Sequence, residues 1–178
     1  MKILLHTCCG PCSIYPVDIL RDEGIDVMGY FFRNNIHPYT ECQKRENTLK
    51  QYAESIGLPL IIQKGYDLEE FLRNAAFRES QRCTYCYHER LMTTALMAKR
   101  GKFDYFSSTL LYSRFQNHEL IKSIGESVSK QSGVSFLYRD FREGWKLGIE
   151  ESKRRGMYRQ QYCGCIYSEK ERFYQKEA

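Results

Sequence analysis

No stretch of this 178-residue chain approaches the length of a membrane span, and no positively charged start leads into a long apolar run. The sequence also lacks internal repeats, low-complexity segments and any Pro/Gly/Ser linker that would divide it. Missing too are a Ser/His/Asp arrangement, a Walker-type phosphate loop and any carboxylate pair that stands out. These absences exclude a membrane-spanning segment and a repeat array, and they leave no motif for hydrolysis or nucleotide-driven chemistry. They predict a soluble, cytoplasmic single domain over residues 1–178, long enough for a hydrophobic core without disulfide staples.

What is abundant is cysteine: eight residues. Cytoplasmic thiols stay reduced. Cysteines there serve more often as metal ligands or redox groups than as bridges. Solitary Cys42 reads equally well as a buried structural residue. The net charge of +5, with 14 tyrosines and 10 phenylalanines, suits an RNA partner, because cations meet phosphates while aromatic faces stack on bases. Many soluble proteins share that balance, so the signal is weak.

Apolar runs alternate with helical patterns, as in a mostly parallel sheet with crossover helices. Strands are predicted at "KILLH", "DVMGYFF", "LPLIIQ", "FDYFSSTLL" and "SFLYRD". Helices are predicted from Ser13 to about Gly24, over "ECQKRENTLKQYAESIG", over "LEEFLRNA" capped by Asp67, through "RCTYCYHERLMTTALMAKRG", and over "NHELIKSIGESVSKQSG". A basic tail, mainly helical, is interrupted around its cysteines. This order describes a Rossmann-like α/β sheet, whose ligands gather at the carboxyl ends of the strands. The "CCGPCS" loop lies at one such end.

The cysteines fall into Cys8, Cys9 and Cys12; Cys83 and Cys86; Cys163 and Cys165; and Cys42. Helix N-termini facing one crevice would let thiolates from the first two groups converge on a soft metal site, either an iron–sulfur cluster or tetrahedral zinc. Plain redox thiols are the third possibility. Adjacent Cys8 and Cys9 depart from a zinc knuckle, and spacing does not say which two of the first three are ligands. Cys163 and Cys165, in "YCGCIY", suit a small labile disulfide, or else two unpaired thiols in a turn made by Gly164.

His37 is expected on the rim beside the cysteine loop, and His88 in the helix of the second cysteine pair. Ser107, Ser108, Thr109, Gln116, Asn117 and His118 follow the fourth strand and fit a polar ligand, although each alone suits a cap or turn. His6 reads as a satisfied core histidine, and Asn34 and Asn35 as turn formers.

"CCGPCS", "FRNNIHPYTECQKR", "RCTYCYHERL", "SSTLLYSRFQNHE" and "YRQQYCGCIYS" together resemble the cobalamin-independent epoxyqueuosine reductase family, over residues 1 to about 170. "FRNNIHP" departs from the commoner Asn-Pro-Asn form of its segment. The resemblance implies reduction of the epoxide of epoxyqueuosine in tRNA to queuosine, using a 4Fe-4S cluster held by Cys8, Cys9, Cys83 and Cys86. It implies a redox-active pair in Cys163 and Cys165, and a fold similar to the nucleotide-binding layer of tRNA-thiolation ATPases. Cysteines replace the phosphate loop of those enzymes, so ATP use is not expected.

Deoxygenation needs two electrons and protons, so an external donor such as a ferredoxin-like protein is expected. His37 and His88 are the proton-donor candidates. Cys12, left over, is the candidate for holding an additional iron. Lys153, Arg154, Arg155 and Arg159 could grip tRNA phosphates, or form an ordinary solvated face with Glu150 and Glu151. The rival readings are a cluster-dependent tRNA-thiolation enzyme and a zinc-stabilised RNA-binding module.

Overall fold

Ile3, Leu4 and Leu5 are wholly buried because their strand lies at the centre of a parallel sheet. The structure, a computed structural model, describes residues 1–174. Strands β1 (Lys2–His6), β2 (Asp26–Phe31), β3 (Leu60–Ile62), β4 (Tyr105–Ser108) and β5 (Ser135–Phe136) pair in the order β3-β2-β1-β4-β5. All four pairings are parallel. Helices α1 (Gly10–Asp22) and α2 (Tyr39–Ser55) pack together, as do α4 (Arg82–Arg100) and α5 (His118–Ser132). The short α3 (Leu68–Ala75) is capped by Asp67, whose carboxylate accepts from Glu70 N at 2.9 Å. The tail carries α6 (Trp145–Arg154) and α7 (Ile166–Phe173), separated by the stretch that holds Cys163. The α/β class and the element order agree with the sequence reading. No helix among the described residues is long and apolar enough to cross a membrane.

Three boundaries differ from expectation, each for a local reason. Helix α1 begins at Gly10 rather than Ser13, because Cys9 is its N-cap and the Cys9 sulfur accepts from Cys12 N at 3.3 Å. Sulfur there does what a serine or aspartate oxygen usually does. Ser13 lies inside the helix and donates its hydroxyl to Cys9 O at 2.7 Å. Strand β4 stops at Ser108, whose hydroxyl accepts from Leu110 N and turns Thr109–Tyr112 into a 3-10 helix. Strand β5 pairs only over Ser135–Phe136 against Tyr105–Phe106.

The topology decides where the site lies. From β1 the chain winds outward through β2 and β3, and β4 then falls on the other side of β1. The carboxyl ends of β1 and β4 are thus adjacent at the point where the strand order reverses, which opens a crevice. The cysteine loop leaves β1 there, and Cys8 N donates to Thr109 Oγ1, just past β4, at 3.1 Å.

Candidate metal centre and redox site

The three thiols at the β1–α1 corner converge. The sulfurs of Cys8, Cys9 and Cys12 all lie within 4.8 Å of one another, and all three residues are buried. Cys8 and Cys9 sulfurs are 3.8 Å apart, Thr109 Oγ1 donates to Cys8 Sγ at 3.4 Å, and Gln160 Nε2 donates to Cys12 Sγ at 3.1 Å. Hydrogen bonds from Cys12 and Cys9, helped by Thr109, hold Cys8 well below the ordinary thiol value. Burial pushes Cys9 well up, and the hydrogen bond to Cys8 pushes Cys12 well up. Three buried, converging sulfurs form a donor set suited to a soft metal.

A fourth sulfur is held on α4. Cys86, in the second turn of α4, accepts from Arg90 Nε and from Asn35 Nδ2, both at 3.3 Å. Arg90 is buried and spreads its other nitrogens to His6 Nε2 at 3.1 Å and Asn35 O at 3.0 Å. His6 is the satisfied core histidine expected: its Nδ1 meets Ser108 Oγ at 2.8 Å, and burial followed by Arg90 lowers it to about 3. Neutral His6 can then accept from the guanidinium. Cys83 lies one turn earlier on α4, is exposed, and stands with Cys86 outside the 4.8 Å trio.

The Cys163–Cys165 segment is clamped from beneath. Arg45, a fully buried arginine paired with Glu41 at 2.7 Å, donates to the carbonyls of Cys163 at 2.8 Å and Tyr162 at 2.9 Å. At Gly164 a Cβ would be a tight fit, 3.2 Å from Asn35 O and 3.4 Å from the Arg45 guanidinium. Cys163 is exposed, yet its thiol accepts from Gln116 Nε2 at 3.3 Å, and burial of the sulfur with Cys86 nearby pushes it up. Cys165 packs with Phe71 and Ala75, and its thiol donates to Ser168 Oγ at 3.7 Å. All eight cysteines are free thiols.

A cavity of about 470 Å³ brings Cys8, Cys12 and Cys163 to one space, with Gln116, Gln160 and Trp145 among its walls. The two histidines are elsewhere. His37 is buried, with Nε2 donating to Asn34 O at 2.7 Å and Nδ1 accepting from Ile166 N at 3.2 Å, so both ring nitrogens are engaged. His88 is two residues past Cys86, which rotates it to another face of α4, where it shares a separate pocket with Tyr85 and Ile124. Cys42 is a core residue packed with Phe31, Ile36 and Leu49. In the tail, Arg154 and Arg155 pair with Glu151 at 2.5 and 2.6 Å, while Lys153 and Arg159 are exposed.

Arg90, Arg45 and Gln160 escape a motif-by-motif reading, and Asn35 reads there only as a turn former. For the arginines a signal exists: Arg90 follows Cys86 by four residues and Arg45 follows Glu41 by four, so each shares a helix face with its partner. Gln160 carries no such mark, because its contact with Cys12 spans 148 residues.

The model of the family described as epoxyqueuosine reductase QueH matches residues 3–171. A protein of Dehalococcoides mccartyi named epoxyqueuosine reductase QueH is 37% identical over 172 residues, covering 97% of this chain and 94% of the relative. One of the same name from Thermotoga maritima is 32% identical over 180 residues, covering 96% and 91%. A solved structure titled as a predicted subunit of tRNA methyltransferase from Methanocaldococcus jannaschii superposes with a TM-score of 0.57 at 12% identity, over 86% of this chain and 76% of that one. That likeness speaks to the fold alone.

Proposed function

The chain belongs to the epoxyqueuosine reductase QueH family and is an oxidoreductase, and on that premise we propose that it reduces epoxyqueuosine in tRNA to queuosine at the cysteine cavity. The observation that carries this reading is that thiols from distant parts of the chain, Cys8, Cys12 and Cys163, line one cavity. The donor set fits a thiolate-bound iron centre: three buried sulfurs within 4.8 Å, with Cys86 held on α4 by Asn35 and Arg90. Cys8, Cys9, Cys83 and Cys86 would hold a 4Fe-4S cluster, and Cys12 would be left for an additional iron. Such a cluster, when bound, supplies single electrons and a Lewis-acidic iron.

The chain's own residues account for the rest of the balance. Converting an epoxide to an alkene consumes two electrons and two protons and releases the oxygen as water. Oxidation of Cys163 and Cys165 to a disulfide releases two electrons and two protons, so one dithiol matches one turnover. Cys163 lines the cavity, so the hydrogen and electrons of the dithiol would be delivered at the same wall. His37, with both ring nitrogens engaged, serves structure in this reading, and His88 lies in a separate pocket away from the cavity. An external donor, ferredoxin-like in class, then restores the dithiol.

Purification without oxygen, followed by visible spectroscopy and assays for iron, zinc and sulfide, tests the reading. A brown chromophore bleached by dithionite, about four sulfides per chain, and conversion of epoxyqueuosine tRNA are expected. A colourless protein with one zinc and no sulfide would overturn the reductase mechanism and favour a zinc-stabilised RNA-binding module.

A further inference from the structure

Phe115 stands 85% exposed at the mouth of the cavity. Large apolar side chains in that position contribute nothing to the core. The loop that carries it is nevertheless firmly held. Phe115 N donates to Ser113 Oγ at 3.2 Å, His118 Nε2 donates to Ser113 O at 3.2 Å, and Asn117 caps α5 by accepting from Leu120 N at 3.0 Å. An ordered loop thus presents an uncovered aromatic ring.

Its neighbour is equally fixed. Trp145, the chain's one tryptophan, lies 5.7 Å from Phe115 between ring centroids, with the planes at 77°. Its other side rests on Tyr112, at 5.2 Å, whose hydroxyl donates to Trp145 O at 3.0 Å. Gly148 permits this, because a Cβ there would come within 2.3 Å of the Tyr112 hydroxyl. The Arg114 guanidinium lies 5.7 Å from the Trp145 ring, and Arg172 is also on the cavity wall. Two perpendicular rings flanked by guanidinium groups form a corner that opens into the space lined by Cys8, Cys12 and Cys163.

We propose that Phe115 and Trp145 form an aromatic corner that receives one unstacked nucleobase of a single-stranded RNA loop and directs its substituent toward the cysteines. A flat base laid on one ring meets the other with its edge, an arrangement that every base satisfies. Arg114 and Arg172 supply the positive charge that phosphates on either side of such a base require. The cavity volume falls within the roughly 300–1,000 Å³ that bind small ligands. It takes a nucleoside and excludes a paired helix, so the target base must leave its stack to enter. A protein partner would instead bury a broad patch, whereas here a single ring stands proud above a deep hole. The inference deepens the reductase reading by naming how the modified nucleotide is held.

The single tryptophan provides the readout. The full chain is titrated with an unmodified anticodon stem–loop hairpin and, separately, with a blunt RNA duplex, while Trp145 emission is followed. The hairpin is expected to quench it saturably and the duplex to leave it unchanged. Phe115→Ala is expected to weaken hairpin affinity about 5- to 100-fold and Phe115→Tyr to restore it. Because Phe115 is so exposed, neither change threatens folding. Unaltered affinity in Phe115→Ala, or equal quenching by the duplex, overturns the proposal. So does a Phe115→Ala variant that slows electron delivery from a ferredoxin-type protein while binding the hairpin normally, since the ring would then dock a protein. Quenching needs neither metal nor reduction, so failure of the wild-type chain to convert epoxyqueuosine tRNA would count against the reductase reading alone.

Discussion

Arg90 Nε lies 3.3 Å from Cys86 Sγ, on a residue that is 2% exposed and forms no ion pair with a carboxylate among the described residues. A guanidinium keeps its charge even when buried. Of its three acceptors, Cys86 Sγ, His6 Nε2 and Asn35 O, only the sulfur can become anionic. The pair thus builds a place for negative charge at Cys86, which a thiolate ligand there would need. Replacing Arg90 with Met removes the donor to His6 Nε2 and Asn35 O and leaves Cys86 Sγ with Asn35 Nδ2 alone, and is expected to cost roughly 2–4 kcal/mol. Lys should recover only part of this, because one ammonium does not span three divergent acceptors. Urea unfolding under argon measures both, and an R90M variant as stable as the parent would remove the counterion role.

Arg45 secures the second cysteine segment. Loss of its bonds to the Tyr162 and Cys163 carbonyls in Arg45→Ala removes two charge-assisted hydrogen bonds, each worth about 1.5–3 kcal/mol. Local opening around buried Cys165 should then rise, with iodoacetamide labelling of that thiol at least about tenfold faster in native buffer. An unchanged labelling rate would show that the segment is held by other contacts.

Acid sensitivity should carry the signature of His37. Burial, with a smaller contribution from Arg90, lowers it from its ordinary value of 6.5 to about 4. The unfolded chain binds this proton more readily, so the stabilisation is complete above pH 6.5 and is lost as pH falls toward 4. The slope reaches about 1.4 kcal/mol per pH unit, for a total of about 3 kcal/mol. Chemical unfolding at half-unit pH steps should show this dependence in the parent and a flatter profile in His37→Gln.

Cys163 and Cys165 are expected to act as one unit. Cys163→Ser, Cys165→Ser and the double variant should lose multiple turnover to the same extent, since residues that function together are strongly non-additive. Iron and sulfide content should match the parent in all three. A double variant much slower than either single one would mean that the two thiols act separately.

Much of this architecture follows from local patterns. The buried run Ile3-Leu4-Leu5, the caps Asp67 and Asn117, and the left-handed Gly133 at φ +77° mark elements that neighbouring residues suffice to define. The cysteine clusters are equally plain, because a reactive side chain shows itself wherever the chain folds. The short β5 is less legible: "SFLYRD" suits a strand, yet β4 offers it pairing only at Tyr105–Phe106. Which groups share a space depends on strand order. Placing β4 beside β1 brings Thr109 to Cys8, Arg90 to His6, and Gln116 to Cys163, pairs separated by 101, 84 and 47 residues. The same long-range packing brings Ile166 N to His37 Nδ1, across 129 residues, and so occupies the ring nitrogen that the local bond to Asn34 O leaves open. Composition and spacing therefore establish that the chain carries thiol chemistry on a parallel α/β sheet. Which thiols meet, and which cations and aromatic rings surround them, follows from the pairing of distant strands, because contacts across the sheet leave no periodic trace along the chain.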